Sequence, residues 1–413
     1  MVDVIRSERL YSEEGLFPQA IKAGEYTFIA QDARGSNGSL PAAGTKSQAL
    51  QTFEHLGLAL KSAGLELENL VTLTIFLTDY RDAHLTIEVL DDVFPHANKW
   101  YPATTILGVM GLDGGCRVRV DAVATANPDR EKIFAADVPL PAGARCHGVR
   151  VGELFFLSGI DAADTQGRPP RPVGIENQTL EVIDRIETVL RSSNLEMGDV
   201  FRTFMFMTGT EHRPGYRETR RKRYQGIFGE DAFPANSGIY IKDLGENILL
   251  KSVAVAYGGK DFALVSTPKV WLAPGSFSQA FRVGRWLFVS GQDAIRETKH
   301  PVEEVDVLSP DVRRSSAYET EAVGDLAGQT RVALTHIEDI VEEAGGTMDD
   351  VVKTTVYLIA GRDRAAFSAA YRDFFHSHRK AKTMPAGLSM EVKELAPSCL
   401  VEIDALALLS ERV

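Results

Sequence analysis

One pattern recurs three times along the 413 residues, and any architecture for the chain must accommodate it. Gly24, Gly152 and Gly284 each precede an apolar strand, "EYTFIA", "ELFFLSG" and "RWLFVSG". Gln48, Gln178 and Gln329 then open amphipathic stretches, where Phe53, Leu56 and Leu60 match Ile183, Ile186 and Leu190, then Leu334, Ile337 and Val341. Offsets of three and four put each trio on one face of a helix packed against a sheet. The helices stop at Gly64, Asn194 and Gly345, residue types that best tolerate the left-handed position after a helix.

A strand follows each stop ("LTIFLTD", "TFMFMTG", "TTVYLIA"), then a more charged helix ending near "DDVF", "QGIF" and "RDFF". Next come Pro-Ala segments, "YPATTILGV", "FPANSGIYI" and "MPAGLSMEV", and a last strand, "CRVRVDAVA", "LLKSVAVA" and "LVEIDALA". Gln to Pro-Ala spans 54, 56 and 56 residues in the three units. Each unit reads β-β-α-β-α-β-β, an α+β sheet covered on one face by two helices. The bare sheet faces predict burial against one another around a pseudo-threefold axis. The units fall at 1–130, 140–260 and 270–413. Gly159 to Gln178 is 19 residues but Gly291 to Gln329 is 38, so unit three carries an insertion near 295–325. It reads either as a solvated loop or as a lid.

A formal charge of −12 argues against a nucleic-acid partner, and no apolar run is long enough for a membrane span. Charges occupy the N-terminal stretch where an export signal needs an apolar core. Cys116, Cys146 and Cys399 lack metal or redox spacing and fit a reducing cytoplasm. With no nucleotide loop or metal motif, no cofactor and no metal are expected. "HSH" at 376–378 reads as a helix end, and His147 lies near the first strand of unit two.

The order of strand-"SGQ", Gln-Thr, "DVVKTTVYL", Pro-Ala and "VEIDALA" resembles the RidA (YjgF) family over roughly 15–127, 144–258 and 276–409. The resemblance implies a chorismate-mutase-like α+β sandwich, normally a homotrimer with ligand sites between subunits. This chain is similar to such a trimer fused into one polypeptide. It further implies hydrolysis of enamines and imines to ketones and ammonia. An arginine after Pro-Ala would grip the substrate carboxylate, and a last-strand glutamate would serve the water. A turn Ser, an aromatic gate and an Asn on the second helix would complete the cleft.

Carried over by position, the arginine is Thr104, Asn236 and Gly387; the glutamate is Arg119, Lys251 and Glu402. The Ser is Ala30, Ser158 and Ser290, the latter two followed by Gly159 and Gly291. The gate is Phe17, Arg145 and Phe277, and the helix Asn is Ile87, Arg221 and Ser368. Glu402 with Ser290, Gly291 and Phe277 is the first candidate, Glu402 activating water. A second sets Asn236 and Ser237 with Lys251 in one cleft, the lysine lowered by burial and acting as a base. Arg119, Arg145 and Arg221 would offer positive charge to an anionic ligand. The expected function is a cofactor-free hydrolase or deaminase acting on a small polar nitrogen-containing metabolite. The alternatives are a non-catalytic ligand-binding or protein-interaction member, or a hydrolase with Ser/Lys chemistry. A monomeric pseudo-trimer or a homodimer of pseudo-trimers is expected.

Overall fold

The computed structural model describes residues 2–12, 16–40, 44–94, 100–229, 232–272, 277–297, 318–320, 325–380 and 383–410. Each unit carries a long helix and a second helix beside it. These are α1 (Thr45–Ser62) and α2 (Ala83–Val93), α3 (Ile175–Arg191) and α4 (Arg213–Phe228), α5 (Leu326–Glu343) and α6 (Arg364–His378). The repeated helix stop is real in backbone terms: Gly64, Asn194 and Gly345 sit at φ 71°, 61° and 81°.

The repeated glutamine lies one turn inside each helix rather than at its start, and its carboxamide explains its recurrence. Gln178 accepts from the Leu249 amide at 2.9 Å and donates to the Asn247 carbonyl at 2.8 Å. Gln329 does the same with Leu400 at 2.7 Å and Ser398 at 3.0 Å, and Gln48 accepts from Arg117 at 2.7 Å. Each glutamine therefore ties the first helix to the entry of the last strand, satisfying buried backbone that no ladder reaches.

Within a sheet the Pro-Ala strand runs parallel to the strand before it, as in Leu70–Leu77 with Ala103–Gly108, the second helix making the crossover. All other neighbours in the units are antiparallel. In unit two the order places Val200–Met207 between Ala235–Tyr240 and the last strand, Leu250–Tyr257. Each sheet also gains an edge strand absent from the sequence reading: Val2–Ile5, Arg130–Ile133 and Phe262–Val265. The segments between units thus serve as the first strand of the following unit. Of the insertion, Ile295–Glu297 pairs with Tyr318–Thr320, and the rest, where the lid reading falls, lies outside the described residues.

Three helix–sheet cores, one per unit, are joined by a fourth cluster drawn from all three sheets, including Phe28, Phe201 and Phe281. The bare sheet faces bury one another around an axis, as the repeat predicts. An axial cavity of about 160 Å³ remains, walled by aromatic rings and two charge pairs. Lys353 pairs with Asp121 across units one and three, and Arg202 reaches Asp404 across units two and three at 3.6 Å. Arg202 also donates to Ser237 Oγ at 2.7 Å.

Candidate functional site

Because a central strand separates the Pro-Ala strand from the last strand, one unit offers these two elements to different neighbours. The candidate residues therefore sort into three clefts. Thr104 meets Ser158, Gly159 and Lys251 between units one and two. Asn236 meets Ser290, Gly291 and Glu402 between units two and three. Gly387 meets Phe17 and Arg119 between units three and one.

The first cleft is filled. Lys251, fully buried, pairs with Asp161 at 3.2 Å and donates to the Ile106 carbonyl at 3.3 Å. Burial pushes its ammonium down, but Tyr80 and Asp161 outweigh this and hold its pKa above the ordinary value. The lysine is thus held charged, contrary to the expected depressed base. Nor do Ser237 and Lys251 share a cleft: Ser237 Oγ donates to Asp404 at 3.2 Å beside the axis, facing unit three. Arg145 closes the mouth by pairing with Asp91, leaving about 10 Å³.

The cleft between units three and one is also filled. Arg119 pairs with Asp113 at 2.6 Å, and Arg364 of α6 joins the same carboxylate. Arg34 pairs with Asp32 at 2.6 Å. Burial opposes the Asp32 charge, yet Arg34 and Arg119 hold its carboxyl below the ordinary range. Phe17 is no gate here but a plug, buried against Tyr371 with ring centres 5.4 Å apart. A Cβ on Gly387 would stand 2.5 Å from the Thr354 carbonyl and 2.9 Å from the Phe17 ring, so that position admits only glycine. About 20 Å³ remains, room for roughly one water.

The cleft between units two and three stays open, at about 110 Å³. Glu402 and Asp293 stand on one wall with Gly291 and Phe277; α4 supplies Arg213, Tyr216, Arg217 and Arg220 on the other. Asn236 lines the floor, its side-chain oxygen accepting from Thr203 at 2.9 Å. Burial, then Asp293 and Asp404, push the Glu402 pKa well above its ordinary value, against Arg202 and Arg213. Ser290 does not reach the cavity. Its hydroxyl donates to the Ser278 carbonyl at 2.5 Å and accepts from the Asn236 amide at 2.9 Å, clamping the neighbouring unit. Ser158 makes the same clamp on Thr104 at 3.1 Å.

Positive charge reaches the open cleft from residues the sequence reading passed over. Arg119 and Arg145 are paired elsewhere, and Arg221 is exposed beside Glu218 at 3.6 Å. Arg213, Arg217 and Arg220, spaced four and three apart, share one face of α4. Arg220 is 4 % exposed, its guanidinium 4.8 Å from the Tyr224 ring centre, and among the described residues its Nη2 has no hydrogen-bond partner. A buried unsatisfied donor at a cavity wall is costly and invites an acceptor. His147, by contrast, is structural, its Nδ1 accepting from the Ala135 amide at 3.1 Å. Among the described residues no group of His, Cys, Asp and Glu could hold a metal, and no helix is long and apolar enough to cross a membrane.

Three α+β units with heterologous clefts, two packed shut and one open and charged, define a pseudo-trimeric fold within a single chain. The chain belongs to the RidA/YjgF family, whose model, described as Endoribonuclease L-PSP, matches residues 9–126, 136–257 and 269–409. A RutC family protein of Pyrococcus abyssi is 32% identical over 145 residues, 35% of this chain and 94% of that protein. The 2-iminobutanoate/2-iminopropanoate deaminase of Escherichia coli K12 is 39% identical over 87 residues, 21% of this chain and 66% of that enzyme. Among solved structures, RidA from an Antarctic Psychrobacter is 26% identical and covers 30% of this chain and 98% of its own, with a TM-score of 0.28.

Proposed function

We propose that the cleft between units two and three hydrolyses the C–N bond of a small imine or enamine that carries an anionic group. One observation carries the reading: among the described residues, only this one of the three clefts has both room and a buried carboxyl facing arginines. The E. coli relative's name as an imine deaminase supports the reaction class. The strand arginine is absent, but α4 offers guanidinium groups from the opposite wall, and a carboxylate presented to them would satisfy Arg220. A substrate so held would place its C=N carbon toward Glu402 and Gly291. The larger axial cavity is a weaker candidate because its charged groups already neutralise one another.

The test generates imino acids in situ with an amino-acid oxidase and follows ketone and ammonia release. The panel includes acidic and neutral side chains. Acceleration over the uncatalysed rate, abolished by Glu402→Gln with folding intact, is expected. If every imine decays at its uncatalysed rate while anionic metabolites still bind the cleft, the protein is a binder rather than an enzyme.

A further inference from the structure

Comparing the three units at one register position uncovers a pair of carboxyls. Asp32 stands directly opposite Arg119, and Asp161 directly opposite Lys251, where the strand before the first helix meets the last strand. In unit three Gln292 pairs with Ile403, so the next step sets Asp293 opposite Glu402. The aspartate is thus kept three times. Its partner is a cation in both filled clefts and a carboxyl in the open one. Directly opposed residues on antiparallel strands project to the same face with Cβ atoms about 5 Å apart. Both side chains line the open cavity, as does Arg220, whose Nη2 has no partner among the described residues.

We propose that Asp293 is a second catalytic carboxyl, acting with Glu402 as a pair that holds one proton between them. This rests on the hydrolytic reading above. For an enamine, the protonated member first gives its proton to carbon, forming an iminium ion. Water then adds to the iminium carbon and loses a proton to an ionised member. The carbinolamine nitrogen takes that proton, the C–N bond breaks with its electron pair leaving on ammonia, and the remaining hydroxyl proton returns to a carboxylate as C=O forms. One water is consumed, one ammonia is released, and the pair ends in its starting state. An imine enters at protonation of nitrogen. One carboxyl would have to reach carbon, water and nitrogen in turn to carry this proton, whereas two side by side on the wall divide those positions between them.

The electrostatics agree with the geometry. Burial pushes the Asp293 carboxyl up to about 6, with Cys399, Arg213 and nearby backbone opposing. Glu402 faces Asp404 on its own strand, Arg202 from Val200–Met207 and Arg213 from α4, besides Asp293. Two like charges so placed titrate as a pair rather than singly.

The experiment uses the full chain with carboxyl-labelled Asp and Glu, comparing wild type, Asp293→Asn, Glu402→Gln and the double variant by carbon NMR titration and by pH–rate profile on the best imine of the panel. Melting temperature checks folding of each. Three results are expected: removing either carboxyl moves the other's titration toward its ordinary range; Asp293→Asn loses one limb of a bell-shaped profile and about 100-fold in kcat; and the double variant is no slower than the worse single one. Titrations that ignore each other's removal would overturn the pairing. A coupled titration with an unchanged profile in Asp293→Asn would overturn the catalytic role. Coupled titration without any wild-type turnover would instead overturn the hydrolytic reading, and the catalytic role with it.

Discussion

Equivalent glycines in two clefts permit a paired experiment. A Cβ on Gly291 would collide with the Glu402 carboxylate, falling on Oε1 and 2.8 Å from Cδ. The obstacle is the far end of a flexible side chain beside an open cavity, so Glu402 can swing away at little cost in stability. A displacement of about 1 Å at a reacting group costs about 100-fold in rate. Gly291→Ala should therefore lower kcat by about that factor while changing stability by less than about 1 kcal/mol. A Cβ on Gly159 would instead meet Thr105 Cγ2 at 2.6 Å and Lys251 Cδ at 3.0 Å inside a packed cleft. Overpacking of that kind costs about 1–3 kcal/mol, so Gly159→Ala should melt lower and keep its kcat. Steady-state ammonia release and urea unfolding read the two quantities separately. If Gly291→Ala turns over at the wild-type rate, the placement of Glu402 is immaterial. If Gly159→Ala is as stable as wild type, the first cleft is not packed as described.

The remaining predictions concern the charges. Arg220→Met should cost about 10–100-fold in kcat/KM for anionic substrates, the range of a charge-assisted hydrogen bond, and spare neutral ones; equal losses would refute the grip. Arg202→Met removes the ion-pair partner of buried Asp404 and should destabilise by about 3–5 kcal/mol in urea unfolding, with Arg202→Met/Asp404→Leu recovering much of the loss. Burial pushes the Asp293 carboxyl up from 3.8 to about 6, so the stability it brings to the pair is fully present below about pH 4 and lost as pH rises through about 6. Melting temperature between pH 4 and 7 should therefore decline more in wild type than in Asp293→Asn. A shape-sensitive mass measurement should give a whole number of pseudo-trimers, one or two chains, and never a trimer of chains.

The scaffold was legible because its signals are local and repeated. Gly64, Asn194 and Gly345 mark backbone that few residues can adopt, and Gln48, Gln178 and Gln329 serve contacts within their own units. The clefts were harder to read, because what closes them comes from another unit. That Phe17 is a plug follows from Tyr371 and Gly387, hundreds of residues away. Burial alone suggested a depressed Lys251, but its charge depends on Asp161 and Tyr80 meeting it in space. In α4, "RPGYRETRRKRYQGIF", the crowd of arginines hid the three that line the open cleft. A signal did exist: Arg220 lies midway between Tyr216 and Tyr224 on the buried stripe of the helix, where the pattern calls for an apolar residue. The edge strands Arg130–Ile133 and Phe262–Val265 were missed because strands of four residues between units read as linker.

The axial ion pairs give the chain an address system. At one axial position the three units carry Thr72, Arg202 and Lys353, and at the facing one Asp121, Val253 and Asp404. Three copies of unit one would gather three carboxylates with no counter-charge, and three copies of unit two would gather three guanidinium groups. Like charges so confined cost several kcal/mol, enough to forbid those self-assemblies while the mixed ring closes with its charges matched. Fusion has thus written the order of subunits into the axis itself. Were the units expressed as separate polypeptides, units one and two could not revert to homotrimers, and each would have to find the others.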